Sequence, residues 1–189
     1  MEADWSAEIG PGLPVIDAAW NGFVDLRSSP EKTDEIEEAR QHPALREALL
    51  VLNSARSPLF TTKCDCWMLP EEDIDPDEFA SARATARTGF ASYIDVVERD
   101  LSRFASFEFH ERRARELTSD LQKLELRQGR VDLVLRAAAF NEQSGFGCTL
   151  YAAGCGATKA EAYVAWQAVL VAAVAATIAA AAHPPHAGE

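Results

Sequence analysis

Cations are scarce in this chain: eighteen Lys and Arg stand against thirty Asp and Glu over 189 residues, a formal net charge of −12. That balance opposes the counterion release that drives non-specific binding to nucleic acid and to anionic membranes, so neither is an expected partner. The signatures of several enzyme classes are missing as well. The sequence contains no Gly-x-Ser-x-Gly elbow and no phosphate-binding glycine loop. Glu108-Phe109-His110-Glu111 lacks the second histidine of the two-histidine zinc motif, which leaves His110 as a packed or rim residue of a helix.

Cysteine is sparse, and its spacing excludes more than it suggests. Cys64, Cys66, Cys148 and Cys155 lack the C-x2-C pairs of zinc sites, so neither a metal nor a cofactor is expected. The run from Met1 to Trp5 has neither the basic segment nor the apolar stretch of a secretory signal, which predicts a cytoplasmic chain with free thiols. Cys155 stands between Gly154 and Gly156 just before a helix start, where the helix dipole would favour a thiolate and a redox role. Asp73-Ile74-Asp75-Pro76-Asp77 has the opening spacing of a calcium loop. Glu78 and Ala84, however, occupy the places of the required glycine and glutamate.

One long apolar run is present. Between Tyr163 and Ala182 only Gln167 and Thr177 are polar, long enough for a membrane span, yet half of those residues are alanine. Tyr163, Trp166, Leu170, Val174 and Ile178 form a stripe at helical spacing, which predicts a helix packed on a sheet rather than one in lipid.

Patterning divides the rest. Residues 1–32, broken by Gly10-Pro11-Gly12, Pro14 and Pro30, read as an irregular arm whose Trp5 and Trp20 dock on the domain. Residues 33–182 read as a single α+β domain, and 183–189 as a disordered tail. Thr33 is expected to cap a short helical turn, and Pro43 to open a helix through Leu45, Leu49 and Leu52. Strands are predicted at Leu59–Trp67, Phe90–Val97, Val131–Arg136 and Phe146–Tyr151, with a solvated, mobile acidic loop around 71–78. Ser102 and Thr158 are the expected caps of two further helices, the second through the capping box Thr158-Lys159-Ala160-Glu161.

Gly89-Phe90 and Gly145-Phe146, fifty-six residues apart, open matching strand-then-helix runs. The expected fold is therefore α+β: two helix-strand-strand repeats (about 41–99 and 113–156) and a closing helix at 158–182. They would form a four-stranded, mainly antiparallel sheet with helices on one face. Parity sends Phe60, Thr62, Cys64, Cys66, Leu133 and Leu135 toward the helices. The opposite face would carry Thr61, Lys63, Asp65, Trp67, Tyr93, Asp95, Arg99, Asp132, Arg136, Thr149 and Tyr151.

Aromatic rings beside paired charges suit a small polar ligand or a partner protein, because rings bury area while charges fix orientation. Lys63, Asp65, Trp67, Tyr93, Asp95, Asp132, Arg136 and Tyr151 are the expected ligand-binding residues. The sequence thus reads as a non-enzymatic ligand-binding or protein-interaction module, with a homodimer as one form of partnership. Two alternatives stand beside it: a small-molecule enzyme using Asp65, Asp95 or Asp132 as acid or base, and an acidic antagonist of a basic partner protein.

Overall fold

In a computed structural model of the chain, residues 1–12, 14–18, 20–79 and 86–182 are described. The expected tail, 183–189, lies outside them, as does Ala84 of the calcium-like spacing. The elements run β1 (Glu2–Glu8), β2 (Ile16–Asp17), α1 (Glu37–Gln41), α2 (Pro43–Asn53), β3 (Leu59–Leu69), β4 (Thr88–Glu98), α3 (Leu101–Ala105), α4 (Phe107–Gln122), β5 (Gly129–Phe140), β6 (Gln143–Gly156) and α5 (Lys159–Ala182).

The sheet is open and six-stranded, not four-stranded. Its order is β1-β5-β6-β4-β3, and β2 pairs with β5 beyond the end of β1. Strands β3 to β6 pair antiparallel, with β3 at the far edge, whereas β1 and β2 run parallel to β5. The arm is therefore partly regular: Ala3, Trp5 and Ala7 stand beside Val131, Leu133 and Leu135. Polar alternation in Glu2–Glu8 suits an edge strand with one buried face, but the nearby Gly and Pro residues masked that signal. The two halves are consequently unequal, since only β5 gains parallel neighbours.

Helices α2, α5 and α4 cover one face of the sheet. Val131, Leu133, Leu135, Ile94, Val96, Leu150 and Ala152 point into that layer and meet Leu49, Leu117, Leu121, Trp166, Val169 and Leu170. Leu133 is 1% exposed. Leu133→Ala should therefore cost about 2 to 5 kcal/mol in chemical denaturation, and a loss under about half a kcal/mol would mean the layer is not packed as described.

Caps explain the helix boundaries. The stretch expected to begin at Ser102 is two helices: Asp100 accepts hydrogen bonds from the Ser102 and Arg103 amides, and Ser106 from the Phe109 amide. Ser102 is thus a recipient of a cap, because Asp100 already supplies the acceptor the first turn needs. Thr33 instead lies inside a 3-10 turn, Pro30–Glu35, and donates to the Pro30 carbonyl. At α5, Thr158 Oγ1 accepts from the Glu161 amide, while Glu161 returns the bond to the Ala157 amide rather than to Thr158.

The run through Tyr163 lies on the sheet as α5, with Trp166 and Ala173 fully buried in the same layer. By length and composition this helix also meets the requirement for crossing a membrane. Its outward side keeps Val164 and Val171 about 60% exposed.

Candidate functional site

The face opposite the helices is covered at both ends and open in the middle. At one end Ile16, Phe60, Val97, Phe104 and Ala138 form a second small core, against which Phe23 and Phe140 pack. Phe60 was expected on the helix side. The β3–β4 register shifts between Thr61 and Cys64, and this bulge reverses parity, because an extra residue moves every side chain before it to the other face. Thr61 accordingly faces the helices, where it accepts from Asn53 Nδ2 at 2.8 Å. Arg99 leaves the open face as well, donating to the carbonyls of Leu59, Asn53 and Ser54.

At the other end, Ile74 and Phe79 of the acidic segment pack against Cys155, Leu69 and Ala153. Its carboxylates Glu71, Glu72, Asp73, Asp75 and Glu78 are exposed, as a solvated loop requires, while its two apolar residues anchor it to the sheet. Cys155, expected at a helix start, is a fully buried residue of β6, and burial pushes its thiol up to about 11. The thiolate chemistry expected of it has no support in that setting.

Between the covers a row of side chains crosses four strands. Trp67 and Tyr93 have ring centroids 6.2 Å apart, Tyr93 and Tyr151 6.0 Å, and the Arg136 guanidinium lies 5.9 Å from the Tyr151 ring. Cross-strand pairing sets this spacing: Asp65 stands opposite Tyr93, Tyr93 opposite Tyr151, and Tyr151 opposite Asp132. Asp65, Trp67, Tyr93, Asp132, Arg136 and Tyr151 thus share one surface, as parity requires. Lys63 sits at the bulge on the edge, 5.4 Å from the Trp20 ring, whose Nε1 donates to the Thr62 carbonyl. Trp5, by contrast, reaches the helix layer and lies 4.6 Å from the Arg115 guanidinium.

Both guanidiniums here are paired with carboxylates. Arg130 pairs with Asp132 at 2.7 Å and Glu78 at 3.2 Å, and Arg136 with Glu8 at 2.8 Å. Sequence reasoning missed Arg130, Glu8 and Glu78, since two lie on segments read as irregular. A depression of about 480 Å³ spans the face, lined by Glu8, Asp73, Glu78 and Asp132 against only Arg130 and Arg136. Asp65 adds a further exposed carboxylate beside the rings. The surface therefore combines aromatic faces with surplus negative charge.

Asp95 behaves differently. It is 3% exposed and accepts a hydrogen bond from Thr149 Oγ1 at 2.6 Å. Burial holds its carboxyl above the ordinary aspartate value of 3.8, against the opposing effects of Thr149, Arg136 and Lys63. A raised folded-state value means that the native chain holds this proton to higher pH than the unfolded chain. Stability accordingly falls as pH rises from about 3.8 through the folded value, and the cost is fully present above it. Asp95→Asn keeps an acceptor for Thr149 and removes that cost. The variant should melt above wild type at pH 7 and lose this advantage toward pH 3.8; a lower melting temperature at pH 7 would contradict the assignment.

Burial and the Asp95 and Asp65 charges push the Tyr93 phenol up to about 12, so its ring is a neutral platform. Cys64 and Cys66 face the helices, and burial raises both thiols. Among the described residues no three His, Cys, Asp or Glu side chains converge as metal ligands. Comparison with protein-family models, with curated proteins and with solved structures finds no match.

Proposed function

We propose that the open face is a recognition surface for a cationic segment of a partner protein. The observation that carries this reading is the row Trp67, Tyr93 and Tyr151 set among carboxylates that outnumber the guanidiniums lining the same depression. Lysine and arginine side chains gain from aromatic faces, each such contact contributing about 0.5 to 1 kcal/mol at an exposed site. The surrounding carboxylates steer the approach of a basic chain and repel acidic ones. Asp95, buried beneath this surface, supports the sheet rather than touching the partner. A lysine-rich peptide should bind at low salt and be released as salt is added. Trp67→Ala with Tyr151→Ala should weaken binding about tenfold; unchanged affinity would remove the rings from the surface.

A homodimer has separate support on α5. Val164, Ala168, Val171 and Ala175 make an exposed apolar stripe along its outward side. A second copy laid along this stripe would bury it. Light scattering should give a dimer mass that Val164→Glu with Val171→Glu reduces to the monomer; a monomeric wild type would end this reading.

A further inference from the structure

The two edges of the sheet are finished differently. Along β1, Gln122 Nε2 of α4 donates to the Ala3 carbonyl at 2.9 Å and the Met1 amino group donates to the Leu124 carbonyl, so α4 and the turn after it close the start of that edge. β3 pairs with β4 alone, and no strand lies beyond it among the described residues. The arm covers only its first half, where Trp20 Nε1 donates to the Thr62 carbonyl. Further along, Asp65 and Met68 are exposed, and Cys66, Trp67 and Leu69 are half-buried.

Hydrogen-bonding direction alternates along an antiparallel strand. The Cys66 N–H points away from β4, because it donates to the carboxylate of its neighbour Asp65 at 2.7 Å. Met68, two residues on, therefore holds its N–H and C=O outward as well. An open edge is a template for another strand, and a charge on it guards against pairing with a second copy. Asp65 supplies that charge, since two copies of β3 laid edge to edge would bring like charges together. A basic segment meets no such repulsion.

Position and charge then define what the edge accepts. The ring row crosses β6, β4 and β3 and ends at Trp67, on the last strand. The next place in that row belongs to an added strand. A lysine or arginine standing there gains from the Trp67 face. Its surroundings are acidic: Asp65 lies on the edge itself, Asp73 lines the depression beside Trp67 and Leu69, and Glu35, Glu37 and Glu38 line a second depression, of about 290 Å³, beside Lys63 and Cys64.

We infer that the cationic partner segment binds as an added strand along residues 64–69 of β3. Its main chain completes the ladder at Cys66 and Met68, and alternate basic side chains stand beside Asp65 and Trp67. This binding mode rests on the recognition surface proposed above and specifies the conformation of its partner.

Three octapeptides of alternating lysine and threonine test it: one unmodified, one N-methylated at every lysine and one at every threonine. N-methylation removes the donors and adds bulk along one edge of an extended peptide while leaving its charge in place. The unmodified peptide should protect the Cys66 and Met68 amides of the isotope-labelled full chain from hydrogen exchange. One methylated peptide should bind nearly as well, and the other about tenfold more weakly. Met68→Pro removes an outward N–H, which an edge strand tolerates. It should weaken the unmodified peptide about fivefold with the melting temperature near wild type, and the methylated peptides decide should that variant fold poorly. Equal binding of all three peptides, with shifts on the open face, would overturn strand addition and leave the recognition surface standing, whereas no binding of the unmodified peptide would end both. Protection of the two amides without peptide, rising with protein concentration, would place a second copy on the edge and overturn the proposal.

Discussion

Trp166→Ala should destabilise the protein by about 3 to 5 kcal/mol, a large fraction of the roughly 5 to 15 kcal/mol that keeps a domain folded. Trp166 is the largest fully buried side chain, and its Nε1 donates to Ser92 Oγ at 2.8 Å. Its ring meets Phe90 at 4.7 Å and Tyr163 at 5.1 Å, so removal opens a cavity among neighbours that cannot all collapse inward. Gly154 shows how closely α5 lies there: a Cβ at that position would stand 2.1 Å from the Trp166 backbone nitrogen. The residue beneath the tryptophan must therefore be glycine. Trp166→Phe should recover part of the loss, because the ring contacts return without the bond to Ser92. Urea denaturation of the two variants measures both effects, and a cost under about 1 kcal/mol for alanine would mean that the helix is not seated on the sheet.

The second large effect is electrostatic. Arg113→Met should cost about 3 to 5 kcal/mol, because it leaves the Glu98 carboxylate, 1% exposed, without its countercharge. Burial already lowers the Arg113 guanidinium to about 10, a sign of how little solvent reaches the pair. The double variant Glu98→Leu with Arg113→Met should regain most of the loss, since an apolar pair of similar volume suits the surrounding Leu117, Leu133 and Leu135. A double variant as unstable as the single one would show that the damage comes from lost volume rather than from the stranded charge.

Much of this arrangement is legible in the sequence, and the failures have specific physical causes. Apart from the break between α3 and α4, the order from α2 to α5 follows from period-two alternation and helical stripes, and the inward direction of Leu133 and Leu135 from parity alone. Phe60 and Thr61 depart from that parity because a bulge inserts a residue without any Gly to announce it. The strand Glu2–Glu8 is hidden because the Gly and Pro residues that follow it make the segment read as an irregular arm, and its pairing partner lies more than a hundred residues away. Ile74 and Phe79 are readable as apolar residues, but the surrounding carboxylates dominate the local pattern.

On the open face, Asp65, Trp67, Tyr93, Asp132, Arg136 and Tyr151 come together as alternation requires, whereas Lys63 is drawn to the edge by the bulge. The buried pair was only half visible. Glu98 shares the parity of Ile94 and Val96, which points it at the helices, yet nothing local identifies Arg113 as the residue that meets it.

The most direct test of the proposed recognition surface maps where a basic chain lands. A lysine-rich octapeptide titrated into the isotope-labelled protein should shift the amides of residues 65–69, 91–95, 130–136 and 149–153, and Trp67→Ala with Tyr151→Ala should reduce those shifts. Shifts spread over the other acidic stretch, residues 31–38, with the residues of the open face unmoved, would show that net charge alone attracts the peptide and would contradict the proposal.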